Sequence, residues 1–273
     1  MKDKFKLTGR HKHPEGTIVR VGRAEFGSKR LAVIAGPCAV EDEKTMMHTA
    51  EAVATCGAKG LRGGAYKPRT SPYSFQGLGE KGLEFLRRAA DAYSLIAVTE
   101  VLDVRDVETV CKYTDVIQVG ARNMQNFPLL RELGGRGVPV LLKRGMGATI
   151  EEWLLSAEYI LLGGNPDVVL CERGVRSFDP ARPIIPDISA IPLVKRLSHL
   201  PVIFDPSHST GRSEEVTAAS CAAVGAGTDG LIVEVHCEPA EASSDGEQTL
   251  SPVQFSDMIE RVRVIAAAVG RSL

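Results

Sequence analysis

The chain has 273 residues, with 33 lysines and arginines set against 34 aspartates and glutamates. That length buries a substantial core in one α/β barrel or in two small domains. The charge balance excludes a nucleic-acid binder that works through bulk charge, and no run reaches the roughly 18 uninterrupted apolar residues needed to cross a bilayer, so neither nucleic acid nor membrane is an expected partner.

In chain order, the first residues, Met1-Lys2-Asp3-Lys4-Phe5, lack the apolar stretch of a signal peptide, and a cytoplasmic location is expected. Residues 1–30 form an extension. Segments 17–22 and 30–33, bridged by 26–29, predict an N-terminal hairpin that plugs the bottom of a barrel. From residue 31 onward, short apolar runs rich in β-branched residues alternate with amphipathic helical stretches, which points to a parallel sheet with crossover helices. Strands are predicted at 31–36, 58–62, 96–100, 116–120, 138–143, 168–172, 202–205 and 230–235. Helices are predicted at 42–56, 79–93, 103–113, 150–162, 213–224 and 252–269. Eight β/α units predict a closed (β/α)8 TIM barrel over 31–273 as one catalytic domain, with an open doubly wound sheet as the alternative. The six cysteines show no paired spacing and are expected to be reduced thiols, with Cys56, Cys111 and Cys221 serving as small buried hydrophobes.

The segment 61–73, LRGGAYKPRTSPY, carries Arg62, Lys67 and Arg69 with no carboxylate among them, on a backbone stiffened by Pro68 and Pro72. An unneutralised, conformationally restricted basic loop is suited to receive a bound anion, phosphate or carboxylate. Gly63 and Gly64 are expected to let the backbone approach that ligand. Catalytic residues of such barrels lie at the C-terminal ends of the strands. Those positions hold Cys38, Arg62, Lys67, Glu100, Arg122, Lys143, Glu172, Arg173, Asp205, His208, Glu234 and His236. So many charges at the mouth of an apolar barrel require bound ions and anionic substrates to offset their desolvation. The cations exceed the need of one phosphate and imply two anionic ligands. Cys38, His208 and Glu234, with an acid on the following loop such as Asp245, offer mixed S, N and O ligation. That set suits Mn²⁺, Fe²⁺, Co²⁺ or Zn²⁺ better than Mg²⁺ or Ca²⁺. His236 is open to three roles: ligand, partner to a ligand, or proton carrier.

The segments IAGPC at 34–38, RGGAYKPRTS at 62–71, QVGARNMQN at 118–126, LKRG at 142–145, CERG at 171–174, DPSHSTG at 205–211 and EVH at 234–236 resemble the type Iβ 3-deoxy-D-arabino-heptulosonate 7-phosphate (DAHP) synthases. The resemblance runs from about residue 14 to the C-terminus. It implies a metal-dependent transferase on a (β/α)8 barrel, which condenses phosphoenolpyruvate with erythrose 4-phosphate and water in the first step of the shikimate pathway. It also implies a homodimer or homotetramer. On this resemblance Cys38, His208, Glu234 and Asp245 are the metal ligands. Arg62, Lys67, Arg122, Lys143 and Arg173 hold phosphoenolpyruvate, while Lys67, Pro68, Arg69 and Thr70 receive erythrose 4-phosphate. Lys67, Glu100 and His208 are the expected catalytic residues, with Glu100 near the attacking water.

The competing reading is a 3-deoxy-D-manno-octulosonate 8-phosphate synthase, which resembles this chain but carries Lys-Ala-Asn-Arg-Ser where KPRTS stands at 67–71. Pro68 with Arg69 stiffens and shortens the site around a four-carbon sugar. A non-catalytic barrel subunit is the other alternative, and it predicts lost strand-end ligands, none of which is lost. The stretch 182–187, RPIIPD, departs from the Thr-Leu-Asp run more usual in the family, and its two prolines are expected to rigidify the loop after the sixth strand. With no added regulatory domain expected, control by aromatic amino acids is not expected either.

Overall fold

The computed structural model describes residues 4–273, so Met1, Lys2 and Asp3 of the N-terminal stretch lie outside the described residues. Eight parallel strands close into a barrel: Ala32–Gly36, Gly60–Arg62, Ile96–Glu100, Val116–Val119, Val140–Lys143, Val168–Glu172, Val202–Phe204 and Gly230–Glu234. The eighth strand pairs with the first from Gly230↔Ala32 to Glu234↔Gly36, and this closure rules out the open doubly wound sheet. The helices run Glu43–Thr55, Glu80–Ala92, Val107–Tyr113, Phe127–Gly134, Ile150–Leu162, Ala190–Leu197, Ser213–Gly225 and Pro252–Ala268, with a short helical turn at Pro206–Thr210. Among the described residues, no helix is long and apolar enough to cross a membrane.

The helices begin where the sequence supplies side-chain oxygens for their first free N–H groups. Thr149 and Ser251 each open with a reciprocal capping box. Asp42 accepts from the Thr45 N–H at 2.8 Å and the Thr45 hydroxyl at 2.7 Å. These bonds, the Thr45 N–H first, hold the Asp42 carboxyl below its usual range. Asp42→Ala is expected to cost about 1 kcal/mol of stability. Because the folded-state pKa is depressed, this contribution is complete above the ordinary carboxylate range and is lost as pH falls through the folded value. Denaturant melts of parent and variant should therefore differ at neutral pH and converge in acid.

The N-terminal hairpin is present, but its second arm differs from the expectation. Val19–Val21 pairs antiparallel with Ala24–Phe26, not with 30–33. The apolar run at 30–33 is claimed by the barrel instead, where Ala32 and Val33 pair with the eighth strand. Val19, Ala24 and Phe26 pack with Ala32, Ile34, Ile96, Val116 and Ile203 inside the barrel, so the hairpin does fill the bottom. All six cysteines are free, but Cys56, Cys111 and Cys221 are only half-buried, packed against the edge of the core, with Cys56 just past the end of the first helix. The loop after the sixth strand contains a ribbon, Val175–Arg176 paired with Ile184–Ile185, flanked by Pro183 and Pro186.

Candidate active site

Side chains along a strand alternate between the barrel interior and the helix layer. Val98, Val116, Leu141, Cys171, Ile203 and Ile232 face inward. Two residues further along, the same register brings Glu100, Gln118, Lys143, Arg173, Asp205 and Glu234 to the inner side of the mouth. Arg62 ends the second strand there as well, 5% exposed.

On one side, Cys38 Sγ, a His208 ring nitrogen, and one carboxylate oxygen each of Glu234 and Asp245 lie within 4.8 Å of one another. Ligands each about 2.0–2.3 Å from one ion have this spread. The His208 ring is already oriented. Its Nδ1 is 2.9 Å from Asp205 Oδ2, and its Nε2 lies 3.5 Å from Glu234 Oε1. A carboxylate behind a ligating imidazole fixes ring and tautomer in this way. Gln248 Nε2 donates to Glu234 Oε2 at 2.6 Å. Glu234 Oε1 is buried and without a hydrogen bond among the described residues, since Arg62 Nη1, 3.1 Å away, is poorly directed. An orphaned buried carboxylate oxygen facing a thiol, an imidazole and a second carboxylate fits a divalent cation.

The charges here are strongly coupled. Burial would raise Glu234, but His208, Arg62 and Lys67 outweigh it and bring the carboxyl to about 2. Burial, together with the Glu234 charge, pushes the Cys38 thiol up to about 12, against the opposing pull of Lys67 and Arg62. The thiol donates to Asp245 Oδ2 at 2.7 Å. Asp205 is wholly buried, yet His208 and Lys143 overcome the burial and hold it well below the usual range. Lys143 Nζ donates to Asp205 Oδ2 at 2.5 Å.

Beside this cluster two hollows adjoin. A recess of about 70 Å³ is lined by Arg62, Lys67, Glu100, Gln118, Arg122, Lys143, Arg173 and His208, among others. A wider cleft of about 490 Å³ is lined by Pro68, Arg69, Thr70, Ser71, Ser74, Pro183, Ile184, Thr210, Gly211, Asp245 and Gln248. Lys67, Pro68, Glu100, Arg122, Arg173 and His208 line both. Arg62, Arg69 and Arg173 each keep a buried guanidinium nitrogen without a hydrogen-bond partner among the described residues. Uncompensated buried donors of this kind are costly unless an acceptor arrives. Lys67 lies at the seam, its Nζ donating to Cys38 Sγ and to the Cys38 carbonyl, both at 2.8 Å.

Several sequence expectations change here. The Gly63-Gly64 pair does not line either hollow. A Cβ on Gly63 would press on Val40, and one on Gly64 on the Cys38 carbonyl and the Lys67 side chain, so the pair lets the first two strand ends pack and Lys67 cross over them. Glu172 faces away from the mouth and braces the Arg173–Gly174 turn. His236 stands outside the four-ligand cluster, its Nε2 3.6 Å from Glu41. Gln118 and Arg144 fall inside the segments 118–126 and 142–145 that carry the resemblance but receive no role from it, and Gln248 lies outside every such segment; neutral amides and an arginine beside a strand-end lysine announce no chemistry of their own.

Gln118 Nε2 donates to Glu100 Oε2 at 3.2 Å. A Cβ on Gly120 would overlap Glu100 Oε1, while the Gly120 backbone is in an ordinary extended conformation. Gly120→Ala is therefore expected to melt near the parent but to displace the Glu100 carboxylate; if Glu100 acts in the reaction, kcat should fall about 100-fold. Steady-state kinetics alongside a thermal melt checks this.

The model of the DAHP synthetase I family matches residues 18–267. The chain belongs to that family. The phospho-2-dehydro-3-deoxyheptonate aldolase of Thermotoga maritima is 52% identical over 266 residues, 97% of this chain and 79% of that protein. The crystal structure of that organism's DAHP synthase superposes with a TM-score of 0.96 at 51% identity, over 98% of this chain and 78% of the other. A truncated form of the Thermotoga maritima synthase gives 0.92 at 47% identity, covering 98% of this chain and 99% of the other. The 2-dehydro-3-deoxyphosphooctonate aldolase of Pelobacter propionicus is more distant, 32% identical over 268 residues. For a DAHP synthetase I member, a divalent-metal requirement and a four-ligand cluster at the barrel mouth are mutually consistent.

Proposed function

We infer that this mouth condenses phosphoenolpyruvate with erythrose 4-phosphate and water to give DAHP and phosphate, the entry to the shikimate pathway. The observation that carries the reading is the pair of adjoining hollows, each with unpartnered buried guanidinium nitrogens, opening beside one four-ligand cluster. One hollow alone would suit a single phosphorylated ligand; two sharing Lys67 suit a bimolecular condensation.

In this assignment Arg62, Lys67, Arg122, Lys143 and Arg173 bind the phosphate and carboxylate of phosphoenolpyruvate in the recess. Lys67, Pro68, Arg69 and Thr70 hold erythrose 4-phosphate in the cleft, with Arg69 and Thr70 on its phosphate. Cys38, His208, Glu234 and Asp245 would hold Mn²⁺, Fe²⁺, Co²⁺ or Zn²⁺. Such an ion supplies Lewis-acid polarisation of the aldehyde oxygen. Lys67, at the seam, offers positive charge to that oxygen as C3 of phosphoenolpyruvate bonds to the aldehyde carbon. Positive character then develops at C2. Glu100, fixed by Gln118, orients a water toward C2 and accepts its proton. The proton that Glu100 takes balances the one gained by the former aldehyde oxygen, which ends as a hydroxyl; the hemiketal phosphate then breaks its C2–O bond, and the hemiketal proton leaves with the phosphate to give the ketone. Residues 1–30 serve as an extension to the catalytic barrel 31–273, and the assembly is proposed to be a homodimer or homotetramer.

Phosphoenolpyruvate labelled with ¹⁸O in its C–O–P bridge tests this route. The label is expected in the released phosphate; label retained in the sugar product would overturn the proposed cleavage.

A further inference from the structure

Lys143 and Arg144 are neighbours in sequence but face opposite sides of the fifth strand. Lys143 continues the interior row of Leu141, whereas Arg144 continues the outward row of Val140 and Leu142, which pack against the helix layer. Glu172 follows Val168 and Leu170 outward in the same way. Both are nonetheless buried, Arg144 at 6% exposure and Glu172 at 0%.

Arg144 Nη1 donates to Glu172 Oε2 at 2.8 Å and to Asp187 Oδ2 at 2.9 Å, and its Nε donates to the Ala148 carbonyl at 3.0 Å. The second oxygen of Glu172 accepts from the backbone N–H groups of Arg173, at 3.0 Å, and Gly174, at 2.7 Å. Asp187 Oδ1 accepts from the Ser189 hydroxyl at 2.6 Å and the Ala190 N–H at 3.1 Å. Asp187 also ends the segment in which Pro183 and Ile184 wall the wider cleft. One guanidinium thus ties the end of the fifth strand to the turn that carries Arg173 and to the segment that walls the cleft.

A buried ion network is a poor source of stability compared with apolar packing, so its value lies in the geometry it imposes. Arg, with its planar fork, is suited to holding several acceptors at fixed angles where Lys is not. We propose that Arg144 is a positioning residue with two arms, one through Glu172 that sets Arg173 for phosphoenolpyruvate and one through Asp187 that sets the Pro183–Ile184 wall for the sugar phosphate. The proposal rests on the assignment of Arg173 and of the wider cleft given above.

The test compares KM for each substrate, kcat and the melting temperature in Glu172→Gln, Asp187→Asn and Arg144→Lys, with Arg173→Lys as control. Glu172→Gln keeps the side-chain shape but cannot accept from both Arg144 and the two backbone N–H groups. It is expected to raise KM for phosphoenolpyruvate about tenfold to 100-fold, by analogy with the loss of a group that orients a metal ligand. KM for erythrose 4-phosphate should stay near the parent value. Asp187→Asn is expected to give the opposite pattern, and Arg144→Lys to raise both. The melting temperature should fall most in Glu172→Gln, which takes one charge out of a fully buried ion pair, so KM is read well below each variant's melt. Unchanged KM values with lower kcat and melting temperature, or equal rises in both KM values for both single-arm variants, would overturn the proposal. A raised KM for phosphoenolpyruvate in Arg173→Lys with a parent-like Glu172→Gln overturns the Glu172 arm alone. A parent-like Arg173→Lys overturns the assignment of Arg173 and the Glu172 arm with it.

Discussion

Cys38→Ala is expected to fold like the parent and to lose metal-dependent turnover. The side chain is 3% exposed and contributes its sulfur to the four-ligand cluster, while its carbonyl, which anchors Lys67, survives the substitution. Ala keeps the Cβ, so the space opened is one sulfur atom beside polar groups, not a cavity in the apolar core. The loss therefore falls on the cation. Removing a direct ligand should weaken metal affinity by more than the 10–100-fold or so that loss of an outer partner costs. Calorimetric titration of the stripped protein with Mn²⁺ or Co²⁺ should register this directly, with turnover falling in parallel at limiting metal. Parent-like turnover by a metal-stripped Cys38→Ala sample would remove the cluster from the mechanism.

Why the cluster was partly legible in the sequence, and the surrounding braces were not, follows from strand geometry. Inward-facing positions repeat every second residue, and apolar runs such as 31–36 and 230–235 show where each run stops and a polar side chain begins. That was enough to collect Cys38, His208 and Glu234 at one mouth. Asp245 sits on an irregular loop in a left-handed conformation, φ 57°, where no periodicity operates; the residues offer it only as one example of an acid on the loop after the eighth strand, and the family resemblance makes the choice definite. The same limit applies to the hairpin. Residues 30–33 read equally well as a hairpin arm or as the start of a barrel strand, and only pairing with the distant eighth strand decides between them. The Arg144–Glu172–Asp187 brace joins three segments far apart in sequence, and its parity marks it for the helix layer, where a charge is not expected. Gly63 and Gly64 read as a site of ligand approach because basic residues surround them in the sequence; their neighbours in space, Val40 and Cys38, lie on another strand end.

Lys67→Met should separate metal binding from chemistry. Lys67 lines both hollows and, without being one of the four ligands, touches the cluster by donating to Cys38 Sγ at 2.8 Å. Methionine preserves much of the stem's packing and deletes the charge. If Lys67 supplies charge where the aldehyde oxygen becomes negative, kcat/KM should fall roughly 10²–10⁴-fold, the span for a positioned proton donor or an electrostatic stabiliser. Metal affinity should change far less than in Cys38→Ala, because all four ligand atoms remain. The two variants therefore predict opposite pairings, with Cys38→Ala losing metal and activity together, and Lys67→Met losing activity while keeping metal. Equal loss of metal from both would assign Lys67 to holding the cluster, not to the condensation.

Phosphate release from phosphoenolpyruvate, compared with erythrose 4-phosphate and with arabinose 5-phosphate after metal stripping and readdition, tests the central claim most directly. Pro68 and Arg69 wall the wider cleft, and Arg69 is tied to the Phe75 carbonyl at 3.0 Å, which limits the room for a longer sugar. Release is expected only with erythrose 4-phosphate, abolished by stripping and restored by a divalent ion. Comparable release with arabinose 5-phosphate, or undiminished release from the stripped protein, would contradict the account.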